Sequence, residues 1–65
     1  MEKYDLMKDY LDNYFEMPDK TVAVLIRFLE QGNGKLSESA KTKEFKELTD
    51  EEVAAIENKY QEIFQ

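Results

Sequence analysis

Gly32-Asn33-Gly34-Lys35 is the stretch of this 65-residue sequence with the most chemistry in it. Successive backbone N–H groups in a glycine turn can cradle an anion, and a neighbouring lysine adds charge. A phosphate loop also needs a longer spacing between glycines, a Ser or Thr directly after the lysine, and a strand in front of it. All three are missing here, so a helix-ending turn is the expectation. Asp5, Asp9, Asp12 and Glu16 recur at helical spacing and offer carboxylates for a divalent cation. The D-x-D-x-D-G loop that wraps calcium is absent, and a straight helix cannot wrap an ion, so these read as a solvated face. Lys35, Lys41, Lys43 and Lys46 are the residues that would touch a nucleic acid. Tyr4, Met7, Tyr10 and Tyr14 would make a surface for a partner helix or peptide, and the same spacing also describes a core face with hydroxyl groups reaching water.

The sequence has no histidine and no cysteine. That removes disulfides, thiolate nucleophiles, imidazole bases and the usual zinc sites together. The remaining Asp, Glu, Lys, Tyr and Ser residues form no readable catalytic set, so no enzyme activity, cofactor or metal is expected. The net charge is -6 and the pI near 4.5, which repels phosphate backbones and anionic headgroups. Nucleic acid is therefore disfavoured as a partner. The longest apolar run, Val22 to Ile26, is far below the ~20 residues of a bilayer span. No span or signal peptide is expected, and the cytoplasm is the expected location. The lack of cysteine agrees with a reducing compartment. The length suits one domain over residues 1–65 that buries only about 60% of its unfolded surface, so dimerisation would be a natural aid.

All of these residues fall on helical patterns. Tyr4, Leu6, Met7, Tyr10, Leu11, Tyr14 and Phe15 occupy about half a wheel at ~100° per residue, and Met17-Pro18 closes that helix. Pro18 then suits the first turn of the next helix, with Asp19 beside its positive dipole end. Val22, Val24, Leu25, Ile26, Phe28 and Leu29 cover more than half of this second wheel, which predicts the central, most buried helix. Gly32-Asn33-Gly34 ends it, because glycine and asparagine accept left-handed backbone. Leu36-Ser37 precedes a short, polar helix over about 38 to 46, with Ala40, Phe45 and Leu48 as its apolar contacts. Thr49-Asp50-Glu51-Glu52 is a capping box, opening a helix over about 50 to 64. In that helix Val53, Ile56, Tyr60, Ile63 and Phe64 form the buried stripe, while Glu57, Lys59 and Glu62 stay in water. The expected fold is a small all-α bundle of four helices, one of them short, with a helix-turn-helix-like C-terminal half. Residues 35 to 46 hold four lysines against two glutamates, and residues 47 to 65 one lysine against six acids. A recognition helix beginning Asp50-Glu51-Glu52 would meet DNA phosphates with like charge.

From Asp19 to Phe64 the sequence resembles the C-terminal region, beyond the catalytic domain, of some bacterial Fic-family (cell filamentation) proteins. The resemblance rests on Thr21-Val22-Ala23-Val24-Leu25-Ile26-Arg27-Phe28-Leu29, Gly34-Lys35-Leu36-Ser37, Lys43-Glu44-Phe45 and Leu48-Thr49-Asp50-Glu51-Glu52-Val53. It covers about two thirds of the chain. The family transfers nucleotide monophosphates to hydroxyl side chains through H-P-F-x-x-G-N-G-R, and this chain matches only the G-N-G. It has no histidine to act as base, so the resemblance implies no catalytic role. The family's inhibitory pattern, S/T-x-x-x-E-G/N, is also unmatched, since Val53 lies four residues after Thr49 and Leu25 four after Thr21. The resemblance implies a non-catalytic accessory module whose partner is a second copy or a Fic-type catalytic domain. A small DNA-binding regulator acting through Lys35, Lys41, Lys43 and Lys46 is the alternative.

Overall fold

The computed structural model describes residues 2–36, 40, 45 and 47–65. These hold three helices and no strand: α1 (Lys3–Phe15), α2 (Asp19–Gln31) and α3 (Asp50–Phe64). The architecture is all-α, with three helices among the described residues where the sequence pattern gives four. The short helix expected over about 38 to 46 falls largely outside the described residues, and so does the helix-turn-helix-like arrangement that depends on it. Ala40 and Phe45 are described, and both are buried. The Phe45 ring meets Phe28 of α2 edge-on, with centroids 6.2 Å apart. The apolar contacts expected of this segment are thus in place.

Each helix boundary has a local cause. Pro18 drives the residue before it out of helical geometry. The chain therefore leaves α1 at Glu16, which is left-handed at φ 54°. The Glu16 N–H donates to the Asp12 carbonyl at 3.0 Å and the Met17 N–H to the Leu11 carbonyl at 3.5 Å, satisfying carbonyls that the helix end exposes. Pro18 stands at the cap of α2 rather than in its first turn, and its carbonyl accepts from the Val22 N–H at 2.9 Å. After α2, Asn33 and Gly34 take positive φ values of 56° and 95°. Gly32 does not, but a Cβ there would run into the Lys35 carbonyl oxygen. At α3 the capping box closes in both directions: Thr49 Oγ1 accepts from the Glu52 N–H at 3.0 Å, and Glu52 Oε1 accepts from the Thr49 N–H at 2.9 Å.

The core joins Met7 and Leu11 of α1, Val22, Leu25, Ile26 and Leu29 of α2, and Val53, Ile56 and Tyr60 of α3. Met17, Leu36, Ala40 and Phe45 complete it from the connections. Helix α2 buries the most side chains of the three described helices, as its pattern predicts. Among the described elements α1 packs against both α2 and α3. Half-buried Tyr10 and Phe15 pack against the Met7–Leu11 stripe and widen it. Glu57 also departs from expectation. It is half-buried, and its Oε2 accepts the Leu36 N–H at 2.8 Å, fastening the segment after the glycine turn to the middle of α3.

Two substitutions test these boundaries in opposite directions. Thr49→Ala removes the α3 cap and is expected to destabilise by about 1 kcal/mol. Glu16→Gly relieves a left-handed residue and is expected to stabilise by roughly 0.5–1 kcal/mol, the strain released exceeding the entropy cost of glycine. Urea midpoints at unchanged slope would read both.

Candidate functional site

The four residues proposed above as one partner surface do not share a surface. Met7 is fully buried, with 0% exposure, because it lies one turn before Leu11 on the stripe that faces the core. Tyr4 is 45% exposed but stands about 120° around the helix from Tyr10 at ~100° per residue. Tyr10 and Tyr14 do come together, their rings tilted at 40° with centroids 5.1 Å apart. Leu6, 42% exposed, takes the place that Met7 vacates.

Leu6, Tyr10 and Tyr14 line a shallow groove of about 520 Å³ between α1 and α3. Asp9 and Asn13 form its other α1 contributions, and Lys59, Glu62 and Ile63 come from α3. Tyr14 is 77% exposed, the most open of the large apolar side chains. Tyr10 is fixed from three directions. Its ring meets Tyr14 on one side and Phe15 edge-on at 5.7 Å on another, and Lys59 Nζ stands 5.3 Å from its centroid. Lys59 also approaches Glu62 at 3.7 Å. The groove therefore already holds one ammonium group between an aromatic face and a carboxylate. Glu62 stands in water as expected, whereas Lys59 is half-buried against the Tyr10 ring.

The Lys59, Glu62 and Ile63 contributions were beyond the sequence reading. The α1 pattern alone puts Leu6, Tyr10, Asp9 and Asn13 on one flank, but no pattern within a helix says which other helix covers that flank.

The glycine turn is occupied with its own structure. The Gly32 N–H donates to the Phe28 carbonyl at 2.9 Å, Asn33 to Glu30 at 3.3 Å, Gly34 to Leu29 at 2.7 Å and Lys35 to Gly32 at 3.2 Å. Every donor an anion nest would need is committed to closing α2. Gly34 is buried, and a Cβ there would stand 3.6 Å from the Tyr60 ring and the Gln65 side chain. Asp5, Asp9, Asp12 and Glu16 are exposed along α1, and among the described residues no group of three or more acids is placed to hold a metal ion. Of the four lysines named for nucleic acid, Lys35 is exposed, and Lys41, Lys43 and Lys46 lie outside the described residues. Among the described residues no helix is long and apolar enough to cross a membrane.

One titrating group is perturbed. Burial raises the Tyr60 phenol above its ordinary 10.0, and the Glu30 carboxylate raises it further. Its ring stacks on Phe64 with centroids 4.5 Å apart, so this phenol belongs to the packing of α3 rather than to the groove.

No family model matches the chain, and no curated protein or solved structure matches it.

The Tyr60 shift carries a pH dependence. The folded state favours the neutral phenol, so this contribution to stability is full below pH 10.0 and is lost as pH rises through the higher folded value. Tyr60→Phe is expected to show a shallower alkaline loss of stability than the unaltered chain, measured by urea unfolding from about pH 9 upward. Parallel curves for the two chains would contradict it.

Proposed function

We propose that this chain is a non-catalytic helical accessory module that works by binding another protein, similar to the tail region of bacterial Fic-family proteins and acting in the cytoplasm. The observation that carries this reading is the open apolar flank of α1. The core closes through Met7 and Leu11, while Leu6 and Tyr14 stay exposed beside the α1–α3 groove. Large apolar side chains that the core leaves uncovered, grouped around a concavity and rimmed by polar residues, are the usual mark of a protein contact. The absence of histidine and cysteine supports the non-catalytic part. Under this reading the partner is a second copy or a Fic-type catalytic domain, and the contact runs through Leu6, Tyr10 and Tyr14.

The double substitution Leu6→Ala with Tyr14→Ala separates a binding role from a structural one. Stability in urea is expected to change by no more than about 0.5 kcal/mol, as for exposed positions. Sedimentation equilibrium over roughly a hundredfold range of concentration then reads association, alone and with a Fic-type catalytic domain. The unaltered chain is expected to associate in one of these conditions and the double variant in neither. A stability loss of about 2 kcal/mol or more would return these side chains to the core and end the reading.

A further inference from the structure

We infer that the α1–α3 groove takes a cationic amphipathic segment of a different protein, seated with an apolar side chain on Leu6 and Ile63 and a Lys or Arg over Tyr14. The inference rests on the interaction-module reading and names the chemistry of its partner.

The groove has an apolar floor and an acidic rim. Asp9 stands on the α1 side and Glu62 on the α3 side. Its one cation among the described residues, Lys59, is already held against the Tyr10 ring and Glu62, so Asp9 is the rim charge with no described counter-charge in the groove. Lys59 also shows what this surface accepts, an ammonium group over a tyrosine face with a carboxylate nearby. Tyr14 offers a second such face, tilted against Tyr10 and 77% exposed, along the same groove. An incoming cation over Tyr14, in a groove that Asp9 also lines, repeats the ammonium-on-tyrosine contact that Lys59 makes in cis. A partner bearing Lys or Arg beside Leu or Ile satisfies the floor and the rim together, the usual pattern of a helix laid in a groove.

A second copy fits less well. The chain carries -6, and a symmetric contact through this groove would bring the Asp9 and Glu62 rims of two copies together. Charge opposition across an interface of this kind selects against self-pairing and favours an oppositely charged segment.

Two synthetic helical peptides of about four turns test this, one with a leucine stripe flanked by lysines and one with each lysine replaced by glutamate. Binding is read by fluorescence anisotropy of the labelled peptides. The lysine peptide is expected to bind, and the glutamate peptide at least about tenfold more weakly. Asp9→Asn combined with Tyr14→Ala should weaken the lysine peptide about tenfold, from the loss of a carboxylate and a ring face. The matched control, Glu47→Gln combined with Tyr4→Ala, removes the same two kinds of group away from the groove and should stay within about twofold. Equal losses in both double variants would show general charge attraction and overturn the inference. Glutamate-peptide binding equal to the lysine peptide, or self-association lost in the Leu6→Ala, Tyr14→Ala variant, would also overturn it while leaving the interaction-module reading in place. Binding of neither peptide overturns the cationic occupant, and failure of that double variant to retain its stability would instead mark a failure of the underlying reading.

Discussion

Met7 and Leu11 are the two side chains through which α1 enters the core, and the bundle depends on that contact. A helix of 13 residues is marginal by itself in water, so α1 and α2 exist because tertiary packing holds their apolar faces. Helix α1 packs on both of its neighbours and so joins the two ends of the sequence. The stripe that does this is narrow, with Lys8 approaching Asp19 at 3.9 Å on one side and the Tyr10 ring under Lys59 on the other. The Lys8–Asp19 pair is exposed enough to add little to stability.

Local chemistry made most of the helical boundaries legible. Thr49 and Glu52 form their capping box because both partners lie within four consecutive residues and need nothing distant. The stop at Met17-Pro18 follows from proline's sterics, yet the left-handed residue proved to be Glu16, a type with no special tolerance for that backbone. The position of the proline, rather than the identity of the glutamate, decides it. What could not be read was the pairing of helices. The wide apolar face of α2 fills with buried side chains, and nothing in the narrower face of α1 says that it packs against two of the described helices. A wheel reports how much surface a helix can bury and is silent on how many partners share it.

The same gap explains the candidate site. At helical spacing Tyr10, Tyr14 and Met7 all lie within half a turn of the wheel, so the pattern alone does not separate Met7 from the tyrosines. Only the position of α3 reveals that the core takes Met7 and leaves Leu6 outside. Glu57 and Lys59 looked like ordinary surface charge, and each instead meets a group distant in the sequence: the Leu36 N–H at 2.8 Å for one, the Tyr10 ring for the other. Long-range partners of charged side chains leave no trace in local spacing.

Leu6 and Ile63 line the same groove, so the start of α1 and the end of α3 converge on one edge of the bundle. That geometry makes the chain a candidate for circular permutation. A short flexible linker could join the ends without disturbing the core, and new ends could open at Glu16-Met17-Pro18, where α1 gives way to α2. Rearranged in this way, α1 would follow α3 directly and their packing would become a local hairpin. The α1–α2 packing, local in the present order, would become the long-range contact in its place, so the rearrangement exchanges one loop closure for another.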